Sequence, residues 1–338
     1  MTGLAIHPIG LRDVIALRRA SQLLVPLSYP EVAFATPSGG WLAALPLPLA
    51  HRYAFLAEAG APCGLAVARA ESADFRWVLE SLGAADGLDE ARCDLWAGLL
   101  SHTVASAGCA GAKRVHADAP LDGPVHEALI RAGFSAYARG TLMLAQGLHP
   151  AAGEEVALRG QEPSDSWSIQ HLYHQVTPKA VQYAEAFNST HWQSGRRLRS
   201  SERGFVLERA SGIAAYCRVF TSGRQVAIEV MSLPDQLQSV PSLVRQAVRA
   251  VGLGQSGHVW ALVPDYHGEY VAALETIGFA AVDRRALMVR YTGVPVTVVE
   301  HRLLTLVSNV AERLPSRVPA HPPAPAGTNI RLASVGPR

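Results

Sequence analysis

The chain has 338 residues, of which 49% are hydrophobic and 17% are charged, and its formal net charge is +2. This length is about twice that of an ordinary domain, so two domains with separate cores are expected. The balance of 30 basic and 28 acidic residues argues against nucleic-acid and membrane-surface binding. Without an apolar stretch of about 18 residues or a secretory signal, the sequence predicts a cytoplasmic protein with no membrane span.

Alternating and helical patterns predict ten elements or loops in the first half. In chain order they are a strand at 4–8, an irregular helix over 11–24, a Pro- and Gly-rich loop at 28–49, a hairpin of 52–58 and 63–69, a strand at 75–82, a helix over 89–107, a strand at 114–119, a helix over 123–132 and a strand at 134–145. Gly133 suits the position after a helix, because glycine accepts positive φ without steric cost.

The second half repeats this order. It predicts a helix from an N-cap at Ser164 toward 175, a helix from Pro178 to about 188, strands at 205–209, 213–220 and 224–233, a helix over 240–251, a strand at 259–263, a helix over 270–277 and a strand at 279–291. A further helix is expected within 296–314, and the prolines of 315–338 predict a disordered tail.

An internal repeat underlies this order. Residues 128–143 read ALIRAGFSAYARGTLM and residues 273–288 read ALETIGFAAVDRRALM, so that eight of sixteen positions are identical at an offset of 145. Upstream, the spacing V-x-A-x-x-P occurs at 115–120 and again at 259–264. A fixed offset of this kind indicates duplication. We therefore expect an N-terminal repeat at 1–150 and a C-terminal repeat at 151–295, and a monomer in which the two repeats pack on each other.

The element order, with a Gly-Phe step between the last helix and the last strand of each repeat, resembles the GNAT acyltransferase superfamily. The Gly-Phe steps are Gly133-Phe134 and Gly278-Phe279. The chain is especially similar to bacterial tandem-GNAT proteins, over about 3–147 and 154–292. The resemblance implies an α/β (α+β) fold of two domains, each with a mixed, mostly antiparallel sheet flanked by helices. It also implies transfer of an acetyl group from acetyl-CoA to an amine of a small molecule or a protein.

The resemblance also implies which residues would form the site. Glu229, within Ala227-Ile228-Glu229-Val230, occupies the place of the family's general base. The backbone of Met231, Ser232 and Leu233 would face the pantetheine arm of acetyl-CoA. Gln236, Gln238 and Ser239 would lie near its pyrophosphate, at the positive end of the next helix. In the first repeat the position of Glu229 is expected to be Trp77, and no metal ligand is expected.

Two departures from the family pattern support a different function. The pyrophosphate loop reads GAADGLDE at 83–90, with three carboxylates, and PDQLQSVP at 234–241, without glycine. Leu129 and Leu274 stand where the family has a tyrosine that protonates the leaving thiolate. The alternative to an enzyme is therefore a catalytically degenerate pair that acts as a binding or scaffold module. A gap between the fourth and fifth strands that is unfilled favours the enzyme, and a plugged gap favours the module.

Four other features are weighed against ordinary structural roles. They are the pair His171 and His174 at helical spacing, Tyr183 and His191 near the expected acceptor cleft, the basic run Arg196-Arg197-Leu198-Arg199 with Arg203, and Cys217 in an inner strand. The histidines could bind metal, the aromatic residues could line a pocket and the arginines could guide a phosphate. Packing or solvent exposure is favoured for all of them.

Overall fold

The computed structural model describes residues 5–10, 13–21, 23–34, 51–58, 62–71, 75–85, 93–150, 156–193, 201–252 and 257–293. All of them belong to one compact unit, Met1–Gly293. The predicted helix within 296–314, the predicted tail at 315–338 and the basic run at 196–199 lie outside the described residues. None of the helices in the described part of the chain is both long and apolar enough to span a bilayer.

The first repeat contains seven strands and four helices among the described residues. They are β1 (Ala5–Pro8), α1 (Val14–Ala20), β2 (Leu23–Pro26), α2 (Glu31–Phe34), β3 (Arg52–Glu58), β4 (Pro62–Glu71), β5 (Arg76–Ala84), α3 (Cys93–Cys109), β6 (Arg114–Pro120), α4 (Pro124–Arg131) and β7 (Ser135–Gln146). The predicted irregular helix over 11–24 was wrong at its end, because Leu23–Pro26 forms a strand. This segment finds backbone partners on β5, which outweigh its helical spacing.

The second repeat follows the same order, except that no described strand corresponds to β2. Its elements are β8 (Leu158–Gly160), α5 (Ser166–Val176), α6 (Lys179–Glu185), β9 (Ser201–Arg209), β10 (Gly212–Ser222), β11 (Gln225–Ser232), α7 (Val240–Ala250), β12 (His258–Pro264), α8 (Glu269–Glu275) and β13 (Ala280–Tyr291). Ser164 is not the predicted N-cap: it lies inside a 3₁₀ turn, Pro163–Asp165, that precedes α5. The turn starts earlier because the Asp165 carboxylate accepts the backbone N–H of Glu162 at 2.7 Å, in a capping box.

The strands of both repeats form one continuous sheet, ordered β1-β3-β4-β5-β6-β13-β7-β12-β11-β10-β9-β8, with β2 paired to β5. Only the pairs β5–β6 and β11–β12 are parallel, so the predicted mixed, mostly antiparallel α/β architecture is confirmed. Each parallel pair is joined by one crossover helix, as parallel strands require.

The two repeats exchange their last strands. β13 of the second repeat pairs with β6 of the first, whereas β7 of the first repeat pairs with β12 of the second. β7 and β13 also pair with each other at the centre of the sheet. Consequently Met288 enters the apolar core of the first repeat and Met143 that of the second, and both side chains are fully buried. The exchange makes each repeat complete only in the presence of the other.

Candidate active site

The fourth and fifth strands of the second repeat separate part-way along their length. β11 and β12 pair in parallel from Gln225/His258 to Ile228/Ala261, and β11 then continues to Ser232 without this partner. The hydroxyl of Tyr29, from the first repeat, closes the point of separation: it lies 2.6 Å from the Ile228 carbonyl oxygen and 3.0 Å from that of Trp260. The separated strands therefore leave a wedge-shaped gap that starts at a fixed point.

Backbone groups of β11 face this gap. Since Ile228 directs its carbonyl toward the gap and successive residues of a strand alternate, Val230 and Ser232 direct their N–H and C=O groups the same way. Ser232 is bound by Tyr270 of α8, whose hydroxyl oxygen accepts the Ser232 N–H at 2.8 Å and lies 3.2 Å from its carbonyl. Val230, between them, is left facing the gap, where no described strand pairs with it.

The equivalent gap of the first repeat is filled by the chain itself. β5 and β6 pair only from Arg76/Arg114 to Val78/His116, and β2 then pairs with β5 from Ser81 to Ala84. Leu27 continues β2 and bridges the two separated strands through its backbone. Its N–H donates to the backbone carbonyl of Glu80 at 2.8 Å, and its carbonyl accepts the backbone N–H of Asp118 at 2.7 Å. The backbone groups that could bind an extended ligand here are thus already used.

The register of the two parallel pairs also corrects the expected counterpart of Glu229. Arg76 lies opposite Arg114 and Gln225 opposite His258, the first residues of β6 and β12. Glu80 lies four residues after Arg76, and Glu229 lies four residues after Gln225. Glu80, not Trp77, is therefore the equivalent of Glu229. The error arose because the two strands share too few residues to fix their register from sequence alone.

The two equivalent glutamates have different surroundings. Glu80 is buried and forms ion pairs with Arg52 at 2.7 Å and Arg69 at 2.9 Å. The Glu229 side chain is 37% exposed and lies 3.6 Å from a guanidinium nitrogen of Arg218, which is itself held by Glu202 at 2.5 Å. Glu80 therefore has a structural role, whereas the Glu229 carboxylate is accessible.

A cavity of about 200 Å³ lies beside the gap, and residues of both repeats line it. Val230 and Leu262 are among them, so the cavity borders both of the separated strands β11 and β12. Its polar lining includes Arg76, His116 and Tyr137 from the first repeat and Glu185, Glu229 and His267 from the second. The structure thus brings Glu229 together with five groups that the sequence analysis did not single out.

Glu185 is a carboxyl group of the cavity whose pKa is strongly raised. It is buried at the end of α6, where it accepts hydrogen bonds from the hydroxyls of Tyr173, at 2.7 Å, and Tyr137, at 3.3 Å. Burial raises the pKa of Glu185 to about 7, and these hydrogen bonds and the charge of Arg76 only partly oppose the rise. Its place was readable from the sequence, because Glu185 follows the buried Val181 by four residues and so shares its helix face.

Two buried histidines belong to the polar lining. The Nε2 atoms of His116 and His267 have no hydrogen-bond partner among the described residues, although both side chains are nearly inaccessible to solvent. Burial lowers the pKa of both imidazoles, most strongly that of His116, where the charges of Arg76 and Arg114 add to the effect. Both rings are therefore neutral at neutral pH.

Comparison with solved structures identifies the fold. The structure is similar to a GCN5-related N-acetyltransferase from Sphaerobacter thermophilus, with a TM-score of 0.53, 13% identity and coverage of 86% of this chain and 96% of the other. It is also similar to a tandem GNAT protein from the clavulanic acid biosynthesis pathway, with a TM-score of 0.50, 14% identity and coverage of 86% and 99%. The chain has a tandem GNAT fold. No protein-family model and no curated protein matches its sequence.

Within the GNAT fold, the two positions expected to carry a tyrosine are core positions. Leu129 and Leu274 are fully buried in the cores of their repeats. Tyr270, one helical turn before Leu274, instead places its hydroxyl at the edge of the gap, against Ser232. Sequence reasoning missed this residue because it considered a single position, although residues four apart share a helix face.

The predicted pyrophosphate segment of the second repeat is a 3₁₀ turn, Pro234–Ser239, that leads directly into α7. Gln236 donates its N–H to the Leu233 carbonyl at 2.9 Å, so this donor is used within the turn. The Gln236 side chain accepts a hydrogen bond from Arg209 at 3.4 Å, which brings a cation to the segment. Contacts of Gln236, Gln238 and Ser239 with a cofactor stay a prediction. The prediction that the backbone of Met231 and Leu233 faces the pantetheine was wrong, because both residues face β10: the Leu233 N–H donates to the Ala214 carbonyl at 2.9 Å, and Met231 pairs with Tyr216.

The loop expected in the first repeat starts later than predicted. Gly83 and Ala84 belong to β5, and 86–92 lies outside the described residues. A Cβ atom on Gly83 would stand 2.6 Å from the carbonyl oxygen of Ala20, so glycine here serves close packing of α1 on β5. Gly83 therefore has a packing role inside the first repeat and does not lie in a loop.

The remaining candidates divide between cavity, surface and core. His191 lines the cavity and stacks on Phe187 at 3.7 Å, whereas Tyr183 is 72% exposed. His171 and His174 each contact a glutamine on their own helix, and nowhere in the described ranges do three or more metal-binding side chains gather. Cys217 is buried in the core of the second repeat, as its predicted packing role requires.

Proposed function

We propose that the chain is an acyl-CoA-dependent N-acyltransferase, which transfers an acetyl group from acetyl-CoA to an amine, and that the second repeat is the active one. One observation carries the proposal: β11 and β12 separate beside the cavity and leave the gap of the second repeat without a paired strand in the described part of the chain, whereas β2 occupies the gap of the first. An extended pantetheine arm can pair with the backbone of Val230 in the gap of the second repeat. The gap of the first repeat offers no free strand edge of this kind.

Glu229 is the proposed proton acceptor. Its carboxylate removes a proton from the amine, and the neutral nitrogen then attacks the thioester carbonyl carbon. A C–N bond forms, the C–S bond breaks, the CoA thiolate leaves with the electron pair, and the acylated nitrogen releases its second proton to water. Tyr270 is the proposed proton donor to this thiolate: its pKa is raised by burial, which keeps the hydroxyl protonated beside the gap.

A binding or scaffold module is the second candidate. It is favoured by the 3₁₀ turn at Pro234–Ser239, which lacks glycine and uses a backbone donor internally. Such a module would bind a ligand in the cavity but would not release free CoA from acetyl-CoA in the presence of an amine. The two candidates therefore differ in turnover and not in ligand binding.

The repeat supplies a matched pair of variants that tests the proposal. Glu229→Gln should lower amine-dependent release of CoA from acetyl-CoA by about 10²- to 10⁴-fold, because the general base is lost. Glu80→Gln should lower stability and leave turnover per folded molecule unchanged, because Glu80 is committed to Arg52 and Arg69. Equal turnover in wild type and Glu229→Gln would refute the role given to Glu229.

A further inference from the structure

The central strands β7 and β13 contain two equivalent β-bulges. In one, Ala136 and Ala138 pair with the consecutive residues Met288 and Leu287, so Tyr137 is the extra residue. In the other, Val282 is the extra residue, 145 positions later and thus at the same place in the second repeat. A bulge re-aims the side chain that it carries. Tyr137 lines the cavity, whereas Val282 is 50% exposed.

The strand exchange delivers Tyr137 to the cavity of the other repeat. Its hydroxyl donates to one oxygen of Glu185 at 3.3 Å, and the Tyr173 hydroxyl donates to the other at 2.7 Å. One hydroxyl from each repeat thus holds the carboxylate in place at the cavity wall. Aromatic rings of Tyr173 and Phe187 lie 5.6 Å apart beside it. A carboxylate that lines a cavity can bind an ammonium group through a charge-assisted hydrogen bond.

His116 adds a second recognition group next to this carboxylate. Its ring centroid lies 5.9 Å from that of Tyr137, and its side chain is 6% exposed. Its Nε2 atom lacks a partner among the described residues, and a buried polar atom without a hydrogen bond costs free energy that a ligand can recover. A neutral imidazole nitrogen either donates or accepts, and a hydroxyl group satisfies both cases.

We infer that the cavity is an amine site built by both repeats, in which Glu185, oriented by Tyr137 and Tyr173, binds the ammonium group of a small organic amine and His116 binds a hydroxyl on the same molecule. The further assignment of this cavity as the acceptor site for acyl transfer rests on the proposed function. The volume of about 200 Å³ restricts the ligand to a small molecule. The first repeat, whose own gap is filled, thereby contributes to recognition by the second.

Direct binding of two amines without acetyl-CoA tests the inference. Calorimetric titration of the full chain at about pH 8 compares ethanolamine with propylamine, which lacks the hydroxyl. Wild type should bind ethanolamine about fivefold more tightly, the gain of roughly one neutral hydrogen bond. Glu185→Gln should weaken both amines at least about tenfold, since the charged partner is lost. His116→Leu should remove the preference for ethanolamine.

Tyr137→Phe and Val282→Ala form the matched control at the two bulges. Tyr137→Phe keeps the ring and should weaken both amines, whereas Val282→Ala should change neither affinity. Absence of binding of either amine at about 10 mM, well above a millimolar Kd, would overturn the inference. So would unchanged affinities in both Glu185→Gln and Tyr137→Phe.

Acetyl-CoA, titrated into the same samples, separates the two proposals. Binding of acetyl-CoA without binding of either amine would overturn the amine site and leave the proposed function standing. Binding of the amines with the predicted variant pattern, but without binding of acetyl-CoA, would support the site and overturn the acyltransferase proposal.

Discussion

Replacing Glu185 by Gln changes a carboxyl group that folding moves from water into the cavity wall. The pKa of Glu185 rises from an ordinary value of 4.5 to about 7. Burial is the main cause and the charge of Glu229 adds to it, whereas the Tyr173 hydroxyl, Arg76 and the Tyr137 hydroxyl oppose it. Tyr266, from the turn after β12, also interacts with this carboxyl group.

The raised pKa makes native stability depend on pH with a defined sign. The folded state holds the Glu185 proton more tightly than the unfolded state does, so stability falls as pH rises from about 4.5 to about 7. The difference between these two pKa values corresponds to about 3 kcal/mol in the free energy of unfolding. Glutamine cannot ionise and avoids this loss.

Thermal unfolding of wild type and Glu185→Gln at about pH 5 and about pH 8 measures the effect. Between these two pH values, the variant should gain about 2.5 kcal/mol relative to wild type, or about 4 °C in Tm for a chain of this size. The comparison uses the change with pH, so any constant effect of the amide on packing cancels. A stability difference between the two proteins that is the same at both pH values would refute the reasoning.

Two further predictions concern packing and the contact between the repeats. Gly83→Ala should lower the free energy of unfolding by about 1–3 kcal/mol, because the new Cβ atom meets a backbone carbonyl, whereas Gly160→Ala, with open space around it, should be nearly neutral in the same urea titration. Arg285→Met should cost about 3–5 kcal/mol, because it leaves the buried Asp118 without its cation 2.9 Å away. Arg284→Met removes an exposed ion pair and should change stability by about 1 kcal/mol or less, and equal losses in both arginine variants would contradict the assignment.

The repeat made the fold predictable from sequence. Shared positions such as Gly133 and Gly278, both at positive φ after a helix, fix the element order twice. The exchange of β7 and β13 could not be predicted, because a repeated last strand pairs equally well with either repeat on sequence grounds. The filling of the first gap by β2 was missed for a related reason: Leu23–Pro26 is apolar without clear alternation, and its partner on β5 is about 55 residues away in sequence.

The candidate site was predicted only in part. Glu229 was found because it lies in a short motif on one strand, and the cavity places it beside the gap. Glu185, Tyr137 and His116 come from three elements in two repeats, and only the tertiary structure brings them together. Two sequence signals pointed toward it: the helical spacing of Glu185 from Val181, and the contrast between Tyr137 and Val282 at equivalent positions, which marks a place where the repeats have diverged.

Calorimetric titration with acetyl-CoA and with free CoA tests the central claim, that only the second repeat binds the cofactor, most directly. We predict one site per chain, because β2 fills the gap of the first repeat, and weaker binding in the variant Gln236→Asp, Ser239→Asp, because added carboxylates repel the pyrophosphate. Two sites per chain, or no heat and no thermal stabilisation by either ligand, would contradict the account.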